Sequence, residues 1–355
     1  MTPSVYSGLV LAGPDLEPLT ADVVVERGRI VAVEERTRAP DLWICPSLFN
    51  AHTHLGDTVA MDAAPARPGD LAALVAPPGG LKHRLLAASS AEDCVAGMRQ
   101  SVRRMLRGGT GGFADFREGG PRGVALLREA VEGLPCRAVA LGRDGGETEG
   151  DGAGIASVRD VAEYEAVARR AREAGGLVAL HAGERDHADV DAALDCRPDF
   201  VVHMTHATGR QLRRCAEEEI PIAVCPRSNW ALGVASGPAH PPLRRMLALG
   251  CRVMLGTDNA MFVPPDMGGE LAFASLVYRL EPATLLRAAC EGAAVTGAPC
   301  WIEPGARASF FVADPARAGL SFSRDPVASL ARRLDPALIR TSIFKLHGEQ
   351  IETVF

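Results

Sequence analysis

The chain has 355 residues, 47% of them hydrophobic, and a formal net charge of −6. That length supports one large core, or a core with a small appendage. Mild acidity without a Lys/Arg run excludes nucleic acid as the main partner, and no apolar run approaches the ~20 residues that cross a bilayer.

Met1-Thr2-Pro3-Ser4 lacks the basic start and apolar centre of a signal peptide. The nine cysteines are scattered without a Cys-x-x-Cys pair, which reads as reduced thiols in a cytoplasmic protein. Lysine is scarce: only Lys82 and Lys345 occur.

In chain order, residues 1–41 predict short strands. Val5 to Leu11 is apolar, Gly13-Pro14-Asp15 is a turn, and residues 21–33 form a hairpin about Arg27-Gly28. Residues 309–314 and 342–351 repeat the strand-turn-strand pattern. Residues 1–45 and 301–355 are therefore expected to build one composite β-sandwich domain around an inserted α/β domain, residues 46–300.

Within the insert, strands are predicted at the His52 segment and at 110–116, 136–141, 155–157, 177–181, 200–203, 220–225 and 252–258. Helices are predicted at 123–132, 158–174, 187–195, 208–218 and 241–249. About eight βα units fit a (β/α)8 TIM-like barrel. Residues 63–82, rich in Pro, Gly and Ala, read as a long loop beyond the first strand.

The stretch that carries chemistry first is Asn50-Ala51-His52-Thr53-His54-Leu55-Gly56-Asp57. Alternate side chains of a strand share a face, so His52 and His54 point one way and Thr53 the other. Further polar residues close later strands: Asp115, His181 with Glu184 just beyond it, His203 and Asp258. Gly183 lets the backbone turn so that Glu184 approaches what His181 binds. Each has an ordinary structural reading alone. Together, at strand ends of one barrel, they point to a site at its C-terminal face.

The segments Pro46…Asn50-Ala51-His52-Thr53-His54, His181-Ala182-Gly183-Glu184, His203, Cys225-Pro226-Arg227-Ser228-Asn229 and Gly256-Thr257-Asp258 resemble the amidohydrolase superfamily. The pattern is most similar to its cytosine deaminase-like and chlorohydrolase branch, which includes triazine hydrolases and adenosylhomocysteine deaminases. The resemblance implies that His52, His54, His181 and Asp258 hold one divalent metal, zinc first, with iron or manganese as alternatives. It also implies a metal-activated water, Glu184 as proton shuttle, and His203 with Asp258 assisting catalysis. His206 is the rival to His203.

Dinuclear relatives bridge two ions with a lysine of the fourth strand. No lysine stands between Lys82 and Lys345, so the resemblance implies a mononuclear site. Many members of the branch also carry a Pro-His-Ala-Pro segment before His-x-x-Glu, but residues 151–157 contain no histidine.

Asp57, Asp115, Arg117, Glu118, Arg143, His206, Asn229 and Asn259 are candidates for the substrate pocket, and Trp230 is expected to pack under a loop. The implied activity is deamination of a purine, pyrimidine, nucleoside or pterin, with release of ammonia. Hydrolysis of a cyclic amide or another C–N or C–Cl bond is the alternative, and a non-catalytic metal-bearing scaffold is the third reading. The expected partner is a small molecule, without nucleic acid or membrane, and the apolar helices are compatible with a homo-oligomer.

Overall fold

Eight segments from the middle of the chain are consecutive strands of one parallel sheet. The computed structural model describes residues 3–63, 71–77, 79–297, 300–346 and 349–354. The strands are Leu48–His54, Thr110–Arg117, Arg137–Gly142, Gly152–Ile155, Leu177–Ala182, Phe200–His203, Ile222–Val224 and a divided eighth, Val253–Leu255 with Asp258–Asn259. Val253–Leu255 pairs with Ile222–Val224, while Asp258–Asn259 pairs with Thr53-His54 at the opposite edge. Gly256 N donates to Val224 O and Thr257 N donates to His52 O. One short stretch of chain thus joins both edges, which requires the sheet to curl round in a TIM-barrel-like fold.

A second sheet takes strands from both ends of the chain. Its seven strands run in the order Glu349–Val354, Ile339–Leu346, Ser309–Ala313, Trp43–Pro46, Ser4–Ala12, Glu17–Glu26 and Arg29–Glu35. Alternation sets its faces: Phe310 and Val312 join a core with Val10, Val23 and Ile44, whereas Phe311 and Ala313 face the main core beside the barrel. All seven strands are hydrogen-bonded in one series among the described residues, and backbone bonds of Gly28 and Ile30 to residues 305–308 bring its Arg29–Glu35 edge back beside Ser309–Ala313.

Local departures from expectation have local causes. The helix expected at 158–174 spans Tyr164–Glu173, because the amides of Asp160 and Val161 both turn back onto Ser157 O. The fourth strand is Gly152–Ile155 rather than 155–157. Its glycines argue against a strand by propensity, yet a Cβ on Gly152 would lie 2.0 Å from Leu177 O on the neighbouring strand. Helix Ala91–Arg107, capped by Ser90, buries Met98, Val102 and Met105 against the barrel and was not predicted.

Within the expected loop 63–82, Leu71–Val75 is helical and helix Leu81–Ala88 begins at its end; residues 64–70 and 78 lie outside the described residues. The turn expected in 342–351 includes His347 and Gly348, also outside them. Trp230 stacks edge-on against Phe273, 5.6 Å between ring centres.

Candidate metal and catalytic site

Strand alternation delivers His52 and His54 to the barrel interior. Thr53 points outward, with Oγ1 2.9 Å from Asp115 Oδ2. His181 enters from the fifth strand and His203 from the sixth. His203 and Asp258 both adopt positive φ, 75° and 63°, an uncommon conformation for residues with side chains.

The ring nitrogens are sorted by their neighbours. His54 Nδ1 lies 3.0 Å from Phe116 O and 2.7 Å from Glu118 Oε1, and His181 Nδ1 lies 2.9 Å from Ile155 O. These neighbours are acceptors, so each Nδ1 carries its hydrogen and each Nε2 presents a lone pair. Arg143 Nη2, at 3.4 Å from His181 Nδ1, is a longer and weaker contact.

The Nε2 atoms converge. His52 Nε2 is 3.2 Å from His181 Nε2 and 3.1 Å from Asp258 Oδ1, and His54 Nε2 is 3.5 Å from that same oxygen. Ligating atoms of His52, His54 and His181 all lie within 4.8 Å of one another, as do those of His52, His203 and Asp258. Lone pairs crowded around a carboxylate oxygen repel unless a cation lies among them, so this donor set fits a divalent metal.

Protonation agrees with that fit. Burial pushes His52 down to about 4, against the raising influence of Asp258. Burial, with neighbouring positive charge, holds His54 and His181 well below the usual histidine range. For Asp258, burial acts upward, but the hydrogen bond and charge of His52, with His203 and His54, outweigh it and keep the carboxyl well below its ordinary value. Neutral imidazoles and an ionised carboxylate are the forms that bind metal.

Glu184 follows Gly183, whose φ is +67°, and lies 3.6 Å from His203 Nε2. Burial raises its carboxyl, partly offset by His203. Asn229 Nδ2 donates to Thr205 Oγ1 at 2.6 Å, which leaves its Oδ1 3.2 Å from His203 Nδ1. Above these groups lies a cavity of about 40 Å³, lined in part by Leu71, Val75, Lys82, Arg143, Glu184 and Asn259.

The other candidates separate by position. Arg143 and Asn259 line the cavity. Arg117 and Asp115 are buried behind it, Arg117 joined to Asp115 and to Glu118. Asp57 is also buried and lies 3.1 Å from Lys82 Nζ. Asn229 supports His203 rather than lining the cavity. His206 is not brought to the cavity: its ring lies 5.0 Å from that of His240. Sequence reasoning missed Lys82 at the cavity wall. Its signal was rarity, one of two lysines in an arginine-rich chain.

A parallel TIM-barrel-like sheet with this donor set at its strand ends defines a hydrolase of the amidohydrolase type. The family model described as adenosine deaminase matches residues 138–300, and the amidohydrolase family model matches residues 43–149. A putative aminohydrolase of Methanothermobacter thermautotrophicus is 33% identical, with 96% of this chain and 97% of that protein covered. A 5-methylthioadenosine/S-adenosylhomocysteine deaminase of Halobacterium salinarum is 30% identical over 92% of this chain and 87% of its own length. The structure of a zinc-bound adenosine deaminase from Xanthomonas campestris has the same fold: TM-score 0.78, 20% identity, and coverage of 98% of this chain and 92% of that one. The chain belongs to the amidohydrolase superfamily.

Proposed function

We propose that this protein deaminates an aminated heterocycle: water replaces an exocyclic amino group, leaving a carbonyl on the ring and releasing ammonia. The observation that carries the reading is the convergence of three Nε2 atoms and Asp258 Oδ1 beside the half-buried carboxyl of Glu184. The deaminase names of the full-length relatives support the choice of reaction.

His52, His54, His181 and Asp258 would hold one divalent cation per chain, with zinc favoured by the three imidazoles. That cation would supply Lewis acidity at neutral pH. Glu184, raised by burial, carries two protons in turn: the first from the attacking water to the ring nitrogen, the second from the hydroxyl left on the ring carbon to the departing amine, which leaves as ammonia. His203 faces Glu184 through Nε2 and is fixed through Nδ1 by Asn229, so it can steer the water and hold the proton in transit. Arg143 and Asn259 would contact substrate. Asp57, Asp115 and Arg117 would support the wall behind it.

We read residues 46–300 as the catalytic unit and 1–45 with 301–355 as a composite β-unit. The free cysteines fit a reducing compartment, the cytoplasm. No helix among the described residues is long and apolar enough to cross a membrane.

The test is ammonia release by zinc-loaded protein from aminopurines, aminopyrimidines, their nucleosides and pterins. Release from one group supports deamination. Silence across the panel with zinc bound transfers the reading to ring-opening of a cyclic amide.

A further inference from the structure

Lys82 is 2% exposed and stands at the start of helix Leu81–Ala88, next to the segment that covers the catalytic cavity. Its Nζ lies 2.7 Å from Glu118 Oε1, 3.1 Å from Asp57 Oδ2 and 3.3 Å from Asn259 Oδ1. The same Glu118 oxygen is 2.7 Å from His54 Nδ1. One carboxylate oxygen therefore joins helix Leu81–Ala88 to an imidazole of the candidate metal site.

Further contacts complete the cluster. Arg143 Nη1 reaches Glu118 Oε1 at 3.1 Å, Arg117 Nη2 reaches Oε2 at 2.8 Å, and Arg117 also meets Asp115. Lys82, Arg117 and Arg143 are each engaged with Asp57, Asp115 or Glu118 inside the cluster rather than free to attract an anionic substrate. Stability does not account for it either, since well-packed apolar residues commonly serve as well as buried ion pairs. What the arrangement supplies is geometry.

We propose that Glu118 and Lys82 are positioning residues for the metal site, Lys82 acting through Glu118 to fix the ring of His54. This rests on the proposed role of His54 as a metal ligand. Partners behind a ligating histidine set ring orientation and basicity, and their loss costs about 10–100-fold in metal affinity. The linkage also ties helix Leu81–Ala88 to the metal site, so the two are set together.

The experiment measures zinc dissociation constants by competition with a chromogenic chelator, without substrate. It compares the full-length wild type, Lys82→Gln, Glu118→Gln and the double variant, each checked for folding by urea denaturation. Each single substitution is expected to weaken zinc binding about 10-fold or more, and the double no further than Glu118→Gln alone. Lys82→Arg, which keeps the charge, should restore part of the affinity. Wild-type affinity in Lys82→Gln, or losses that multiply in the double variant, would overturn the proposal.

Should Lys82→Gln fail to fold, the wild-type His54 Nδ1 proton carries the test by NMR of the zinc-loaded protein. Slow exchange with water is expected, and fast exchange overturns the assignment. Failure of the wild type to bind zinc would remove the proposed function as well. Tight wild-type binding indifferent to both substitutions removes only this inference.

Discussion

Ser228 Oγ donates to Asp258 Oδ2 at 2.7 Å, and this turns the other oxygen, Oδ1, toward His52 Nε2 at 3.1 Å. The hydroxyl comes from helix Pro226–Ala231, which Glu270 anchors by accepting from both the backbone and side chain of Arg227. Ser228→Ala should therefore weaken zinc binding about 10-fold while leaving the fold intact. Chelator competition checks the first expectation and thermal unfolding the second.

Gly183 has φ +67°, and a Cβ there would lie 3.1 Å from Val190 Cγ2 and 3.2 Å from Met204 Cα. Gly183→Ala should cost about 1 kcal/mol or more and displace Glu184. The expected result is a large fall in kcat with zinc content unchanged; equal loss of both would mean that His181 had moved too.

Zinc affinity should change little with acidification over the mildly acidic range. Burial holds His52 at about 4, and His54 and His181 well below the ordinary histidine value, so these rings are neutral there and no proton must leave for metal to bind. Titration with a zinc-selective indicator on either side of the ordinary histidine pKa, about 6.5, measures this. A steep loss of affinity through that value would contradict it.

Burial lifts the Asp57 carboxyl from 3.8 to about 7, against the pull of Lys82. The folded chain then retains a proton that the unfolded chain has lost, and this contribution is complete below the unfolded pKa and disappears as pH rises through the folded one. Asp57→Asn should gain stability relative to wild type on passing from about pH 5 to about pH 8, as read from urea unfolding at both. A difference that stays flat or runs the other way would refute the shift.

The barrel strands and the shared inward face of His52 and His54 were legible because both rest on local periodicity. His52-Thr53-His54 needs only strand alternation, and Phe200–His203 was predicted with its observed bounds. The glycine-rich fourth strand was misplaced because its pairing with Leu177–Ala182 is tertiary. Asp115 and Asn229 read as pocket residues, since sequence alone cannot show that the first bonds Leu55 N and the second His203. His206, three residues from His203, falls outside the cavity because the chain turns after His203, through positive φ at His203 and Met204. Lys82 was unreadable in its role because its partners Asp57, Glu118 and Asn259 come from three separate segments.

The central claim joins the metal site to Glu184. The most direct test is ammonia release by zinc-loaded wild type and by Glu184→Gln, with zinc content measured in the same samples. The account predicts equal zinc in both and about a 100–10,000-fold loss of ammonia release in the variant, the range for a lost proton-transfer group. Full activity in Glu184→Gln with zinc bound would contradict it.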